Sequence, residues 1–272
     1  MTLAGTGALG DHGIGAFNVI LLEQAEAITA GAERAGLPVV LQISENTVRH
    51  HGALAPIGAA ALAIARSAAV PVAVHLDHAT DRALVEEAVA LGFTSVMYDA
   101  STLPYDANVA ATAAMAGLCH ASGVWLEAEL GEIGGKDGVH APGARTDPDE
   151  AAAYVAATGV DALAVAVGSS HAMRTRDARL DFELIGRLRD AVPVPLVLHG
   201  SSGVPEADLA RAVEHGMRKV NIATHLNGRF TGALRAVLDA DPALTDPRRY
   251  LGPAREAVTA EVARLLALLA KR

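Results

Sequence analysis

Aromatic residues are scarce in this chain, at 3% of 272 residues. A core keyed by large rings is therefore excluded, and the interior must pack from Ala, Val, Leu and Ile at close helix–sheet distances. Cysteine is nearly absent. The one thiol, Cys119, excludes an internal disulfide and suits a reducing compartment. Basic residues are in deficit, 22 Lys and Arg against 31 Asp and Glu, for a formal charge of −9. Such a surface argues against a nucleic-acid partner, which needs a basic footprint. It leaves room for a small anionic substrate in a local pocket. No basic, apolar leader opens the sequence, and the longest apolar stretches are broken by Gly, Pro or charge before reaching membrane length. The expectation is a soluble, cytoplasmic protein with no membrane partner.

What the chain does contain is apolar residue, 51% of the total, in a length that fits one large α/β domain. Strand-like and helix-like segments alternate almost throughout. The strand-like pieces are "GAFNVI" (15–20), "PVVLQIS" (38–44), "VPVAVHLDH" (70–78), "SVMYDA" (95–100), "VWLEAEL" (124–130), "ALAVAV" (162–167), "PLVLHG" (195–200) and "KVNIAT" (219–224). Helical patterns separate them, with Asp147 or Asp149 opening one, and a further pair of segments surrounds "DPRRYLGPAREAV" (246–258). A glycine-rich polar stretch from Gly131 to about Thr146 reads as a mobile loop. Eight strands alternating with helices predict a (β/α)8 TIM barrel with additional C-terminal helices, spanning 1–272 as a single domain. An open doubly wound sheet is the alternative. It would favour a GxGxxG turn after the first strand, and none is there.

Polar residues gather at the strand ends. Asp77 and His78 close strand three and Asp99 strand four; Glu127 and Glu129 lie late in strand five. His171 follows strand six, His199 ends strand seven, and Asn221 and Thr224 lie at strand eight. In a barrel these positions converge on the C-terminal face, where active sites form. His78, His171 and His199 make a sensible zinc set, because three imidazoles leave a coordination position open for substrate. Strict alternation puts Asp77 and His78 on opposite faces, so both reach one site only if the strand ends or turns there. His75 lies deeper and reads as a core or supporting residue. "HGSSG" (199–203), with Ser201 and Ser202, and "NIAT" (221–224) each precede a helix. Loops after strands seven and eight often cradle phosphate.

A divalent metal, a carboxylate and an anion cradle leave hydrolysis, isomerisation and carbon–carbon cleavage open. An aldol reaction uses all three parts. The metal would polarise substrate oxygens, and Asp77 would take the proton from the leaving hydroxyl. Lysine is rare, limited to Lys136, Lys219 and Lys271, and only Lys219 lies near a barrel strand. A Schiff-base mechanism would want a lysine buried near the centre.

The pieces "AFN" (16–18), "HLDH" (75–78), "EAELG" (127–131), "GG" with "DGV" (134–139), "AVAVGSSH" (164–171), "LVLHGSSGVP" (196–205), "KVNIAT" (219–224) and "DPRRYLGPAREAV" (246–258) occur in order over nearly the full chain. In them the sequence resembles the class II, metal-dependent fructose-bisphosphate aldolase family, which includes tagatose-bisphosphate aldolases. The resemblance implies a TIM barrel, a homodimer or homotetramer, and a phosphorylated sugar as substrate. It implies Zn2+ or another divalent metal on His78, His171 and His199, with Glu129 as a carboxylate near the metal, and leaves a monovalent cation open at the phosphate site. Asp77 would be the acid/base, and Asp99 a polar neighbour. Gly200, Ser202, Asn221 and Thr224 match the phosphate and dihydroxyacetone cradle, and Asn18 and Ser44 match positions lining the mouth.

The chain also departs from the family pattern. Ala172 stands where glycine usually offers a backbone N–H to phosphate. The loop reads "GGKDGV" in place of a form like "GGEEDGV", so Asp137, or else His140, would replace the glutamate that exchanges the proton on dihydroxyacetone. "ENTVRHHG" (45–52) replaces a run of small residues, and its Arg49, His50 and His51 either face solvent or reshape the far end of the substrate site. Arg174, Arg176 and Arg179 lie near the rim, either as a solvated basic loop or to read a phosphate or carboxylate on the substrate, and Arg255 would reach a neighbouring subunit's distal phosphate. The expected reaction is cleavage of fructose or tagatose 1,6-bisphosphate to dihydroxyacetone phosphate and glyceraldehyde 3-phosphate. Another phosphorylated ketose, sugar-phosphate epimerisation, or a noncatalytic binding barrel are the alternatives.

Overall fold

Side chains on a strand alternate between two faces, and here the two faces fill two different compartments. The computed structural model of the chain describes residues 4–5, 7, 12–130, 145–169 and 176–270. Its strands are β1 (Ile14–Asn18), β2 (Val39–Ser44), β3 (Val72–Ala79), β4 (Ser95–Tyr98), β5 (Trp125–Glu129), β6 (Ala162–Ala164), β7 (Leu196–Leu198) and β8 (Met217–Ile222). They pair in parallel in chain order, and β8 returns to β1 to close the ring. The outward set, including Phe17, Leu41, Ile43, Val74, Leu76, Leu126, Leu163, Leu198 and Val220, joins the large cluster shared with the helices. The inward set is smaller and more polar. Ile14, Ala16, Val40 and Ala73 form one apolar floor, and Met97, Ala162, Ala164 and Val197 another. Alanine on the inside leaves room for the functional groups above it.

The helices are α1 (Leu22–Ala35), α2 (Glu45–His51), α3 (Ala55–Ser67), α4 (Arg82–Leu91), α5 (Tyr105–His120), α6 (Pro148–Thr158), α7 (Phe182–Ala191), α8 (Glu206–His215), α9 (Thr224–Ala240) and α10 (Pro247–Leu269). Aspartates start four of them by accepting backbone N–H groups that have no helical partner. Asp81 caps α4, Asp147 caps α6, Asp181 caps α7 and Asp246 caps α10. Of the two candidates at α6, Asp147 is the cap: it accepts from the N–H of Asp149 and of Glu150.

The expected TIM barrel with extra C-terminal helices is what forms. Two details differ from the sequence reading. Residues 45–51 are a helix of their own, because Ser44 Oγ accepts from Thr47 N and starts a turn that Gly52 ends with φ +81°. The pair of segments expected around 246–258 is one continuous helix, α10, running through Pro253. The glycine-rich loop lies outside the described residues up to residue 144. Among the described residues, no helix is long and apolar enough to cross a membrane.

Candidate metal and substrate site

The end of β3 resolves the alternation problem. His78 has φ +50°, and it is the one described non-glycine residue with positive φ. The register of β3 with β4 shifts between Leu76 and Ala79. A left-handed residue at a bulge turns the side-chain direction, so Asp77 and His78 both face the mouth. The conformation costs roughly 1–3 kcal/mol and persists only where the surroundings impose it. The hydrogen bond from Asp99 N to Ala79 O, 2.8 Å, fixes the strand beyond the kink.

His78 meets His199, from the end of β7, at the centre of the mouth. His78 Nε2 and His199 Nδ1 lie 3.1 Å apart. Each ring is held from behind by a carboxylate: His78 Nδ1 donates to Asp99 Oδ2 at 2.9 Å, and His199 Nε2 donates to Glu127 Oε1 at 3.0 Å. Carboxylates only accept, so these bonds place a hydrogen on His78 Nδ1 and on His199 Nε2. The two inner nitrogens then face each other at hydrogen-bond distance, where they can share a proton or, with that proton displaced, a metal ion. Nitrogens each about 2.0–2.1 Å from a tetrahedral ion sit roughly 3.3 Å apart, close to the observed separation. Carboxylates behind metal-binding histidines are the usual orienting partners. Asp77, His78 and His199 offer ligand atoms within 4.8 Å of one another, and so do His78, Asp99 and Glu129. These residues fit a divalent metal.

The electrostatics agree. Burial works to lower the His78 pKa, but the charges of Asp77, Asp99 and Glu129 and the Asp99 hydrogen bond outweigh it and raise the value to about 10. Burial likewise works to raise the Asp99 pKa, yet the hydrogen bonds from His78 and Ser101 hold its carboxyl well below the usual range. The cluster carries more negative charge than its own residues balance, which is the condition a bound cation meets.

Beneath this layer lies a second one that sequence reasoning largely missed. Glu127 Oε2 accepts from Lys219 Nζ at 2.7 Å, and both are buried. His75 Nδ1 lies 2.8 Å from Ser95 Oγ and its Nε2 3.4 Å from Lys219 Nζ. Burial first, then the Lys219 charge, holds His75 well below its ordinary pKa, so the ring is neutral. His75 is thus a supporting residue, as expected. Lys219 corrects the sequence reading: a lysine does sit at the barrel centre. Its ammonium is committed to Glu127, so the ion pair serves the histidine layer. The available signal was alternation, since Glu127 and Lys219 stand two residues before Glu129 and Asn221 on the same faces.

A cavity of about 430 Å3 opens above the histidines. Of the expected residues, Asn18, Ser44, Asp77, His78, Gly200, Ser201, Ser202, Asn221 and Thr224 line it. Asp77 is held between two amides: Asn18 Nδ2 donates to Oδ2 at 3.5 Å and Asn221 Nδ2 to Oδ1 at 3.4 Å. Gln42 fixes Asn18 with a 2.6 Å bond. Gln42 Oε1 and Asn221 Oδ1 are buried without a hydrogen-bond partner among the described residues, as expected of a wall shaped for a polar ligand. Gly200, at φ +67°, turns the chain after β7 into the 3-10 turn Ser201–Gly203. Two hydroxyls have internal duties: Ser201 donates to Asn221 O, and Ser44 caps α2. Asp99 and Glu129 stand beside His78 and His199. Arg255, expected to reach a neighbouring subunit rather than its own cavity, pairs with Glu26 of α1 at 3.0 Å. Arg176 bonds Glu206 and His225, and Arg179 lines a separate surface depression with Arg145 and Arg211. His171, Ala172, Arg174, Asp137 and His140 lie outside the described residues. Asn46 and Asn227 also line the cavity, and sequence reasoning had not assigned them there; His50, one of whose two readings put it at the far end of the substrate site, lines it as well.

Comparison with known proteins agrees with this geometry. The family model for class II fructose-bisphosphate aldolase matches residues 6–272. A fructose-bisphosphate aldolase of Geobacillus stearothermophilus is 39% identical over 257 residues, covering 93% of this chain and 90% of that protein. A probable fructose-bisphosphate aldolase of Bacillus subtilis (strain 168) is 41% identical over 251 residues, covering 91% and 88%. The crystal structure of the YdjI aldolase from Escherichia coli K12 superposes with a TM-score of 0.83 at 32% identity, covering 95% of this chain and 92% of that one.

Proposed function

We propose that this chain, which belongs to the class II fructose-bisphosphate aldolase family, cleaves fructose or tagatose 1,6-bisphosphate reversibly to dihydroxyacetone phosphate and glyceraldehyde 3-phosphate. It is an enzyme, a metal-dependent carbon–carbon lyase. The observation that carries the substrate reading is the histidine pair 3.1 Å apart beside Asp77, under a cavity walled by amides and hydroxyls. The Geobacillus stearothermophilus relative bears the name fructose-bisphosphate aldolase, and the Bacillus subtilis one that of a probable fructose-bisphosphate aldolase.

In this reading His78, His171 and His199 would hold zinc, with Glu129 as a carboxylate near it. When bound, the ion would supply Lewis acidity to the substrate's oxygens. Asp77 takes the proton of the hydroxyl on carbon four. The electron pair of the bond between carbons three and four then stays on carbon three, and the aldehyde departs. Asn18 and Asn221 aim the Asp77 carboxylate for that transfer. A loop group, Asp137 or else His140, which starts this step protonated, gives its proton to carbon three and is left as the base for the reverse reaction. Gly200, Ser201, Ser202, Asn221, Thr224 and the backbone N–H of Ala172 cradle the phosphate of the dihydroxyacetone half. A dimer or tetramer belongs to the same reading.

The test is cleavage of both bisphosphates side by side, with zinc and then with chelator. Chelator-sensitive release of dihydroxyacetone phosphate is expected. Asp77→Ala is expected to keep its metal and lose cleavage by about 100-fold or more, the usual worth of a general acid–base group. Cleavage that survives complete metal removal, or full activity in Asp77→Ala, overturns the assignment.

A further inference from the structure

Across the mouth from the phosphate cradle stands α2, the helix built from the chain's unusual "ENTVRHH". His50 lies four residues after Asn46 and three after Thr47, the spacings that share a helical face, and all three line the cavity. The helix is pinned at both ends. Glu45 Oε2 accepts from Thr80 N at 2.6 Å and Thr80 Oγ1 at 3.0 Å, just beyond the kink at His78. His51 Nε2 donates to Ile20 O at 2.7 Å, beyond β1. Arg49 points away and pairs with Glu45, while its Nη1 donates to Asn46 Oδ1 at 3.0 Å. That bond leaves the Asn46 amide nitrogen as a donor.

Position decides what this wall touches. The cradle lies at β7 and β8, and the histidine pair at β3 and β7. Ser44, the last residue before α2, is register partner to Asp77. A ketose bound with its first three carbons between cradle and histidines breaks its bond at Asp77, so the departing half extends toward α2. Among the described lining residues there is no Lys or Arg. Asn46, Thr47 and His50 offer amide, hydroxyl and imidazole groups, so the α2 face suits hydroxyl groups by hydrogen bonding.

We propose that Asn46, Thr47 and His50 form the aldehyde subsite, with His50 as a specificity-determining residue for aldehydes that carry hydroxyls beyond the reacting carbon. This rests on the aldolase reading above. Two measurements on zinc-loaded protein separate them. The first is solvent deuterium uptake into dihydroxyacetone phosphate, which involves no aldehyde. The second is condensation of dihydroxyacetone phosphate with glyceraldehyde 3-phosphate, glyceraldehyde and acetaldehyde. In His50→Ala, kcat/KM for both hydroxylated aldehydes is expected to fall about tenfold, the scale of one lost neutral hydrogen bond. Condensation with acetaldehyde and deuterium uptake are expected to change by less than about threefold, since neither uses the lost bond. Asn46→Ala should show the same pattern, and His50→Gln should recover part of the loss. Equal losses for all three aldehydes, or an unchanged preference, overturn the subsite. Absence of deuterium uptake in the wild-type protein overturns the aldolase reading itself, and the subsite with it.

Discussion

Lys219 carries a full charge into the barrel, and its consequences are local. Its ammonium balances Glu127, and Glu127 orients His199. Replacing Lys219 by Met leaves a buried carboxylate without its counter-charge. Removing one partner of a buried pair costs about 3–5 kcal/mol, so the urea midpoint of K219M is expected to drop steeply. Zinc affinity, read by competition with a chromophoric chelator, should fall about 10-fold or more, because losing an outer partner of a ligand usually costs that much. Adding Glu127→Gln should restore part of the stability, since the stranded charge goes with it. A K219M protein with wild-type midpoint and zinc affinity would show that the pair does neither task. The residues of this layer explain what the sequence conveyed and what it withheld. Asp77, His78 and His199 were legible because each ends an apolar strand, and position along a strand survives in sequence. The pairing of Glu127 with Lys219 was not, because the two sit on different strands and only the closed ring brings them together. Asp77 and His78 lay between these cases: the residues were evident, while their shared direction depended on one backbone angle.

At the scale of elements, the seam between α1 and α10 shows how the alanine-rich outer layer packs. Gly31 of α1 is buried, and a Cβ there would lie 2.7 Å from Thr259 O and 2.7 Å from Val262 Cβ. Thr259 Oγ1 donates to Ala27 O at 3.2 Å across the same contact. The missing methyl group lets two backbones approach. Gly31→Ala gains up to about 1 kcal/mol of helix propensity. It also forces an overpacked contact costing roughly 1–3 kcal/mol, and one of the atoms met is backbone that cannot rotate away. With the full propensity gain the expected net is a loss of up to about 2 kcal/mol, or up to several degrees in Tm for a chain of this size, measurable by calorimetry. A higher Tm would mean that α10 shifts freely. The order of elements was readable because hydrophobic periodicity is local. α2 was not, because its turn depends on the Ser44 cap, and a serine after a strand is an equally ordinary loop residue.

For the whole molecule, one charged network gathers the ends of distant segments. Arg176 precedes α7, Glu206 begins α8, His225 begins α9, and Glu261 and Arg264 lie on α10; all are joined by hydrogen bonds. Burial opposes ionisation of Glu261, but hydrogen bonds from Arg264 and His225 prevail and lower its pKa to about 2. Hydrogen bonds from Arg264 and Arg176 lower Glu206 to about 2 as well. Carboxyls depressed in the folded state stabilise it fully above their unfolded pKa of about 4.3, and that contribution drains away as pH falls toward the folded value. Stability is expected to decline between about pH 5 and pH 2 for this reason, and Arg264→Ala should flatten the slope by removing the partner of both carboxyls. An unchanged slope in that variant would locate the acid sensitivity elsewhere. The ring of strands also imposes a limit that the kink at His78 overcomes. Strict alternation allows each strand end one terminal side chain into the mouth, which ties the number of functional groups to the number of strands. One left-handed residue lets β3 deliver two neighbours, Asp77 and His78. Trimming that strand by one residue to straighten it would force a choice between them, so the chemistry of the mouth depends on an irregularity that an idealised barrel would erase.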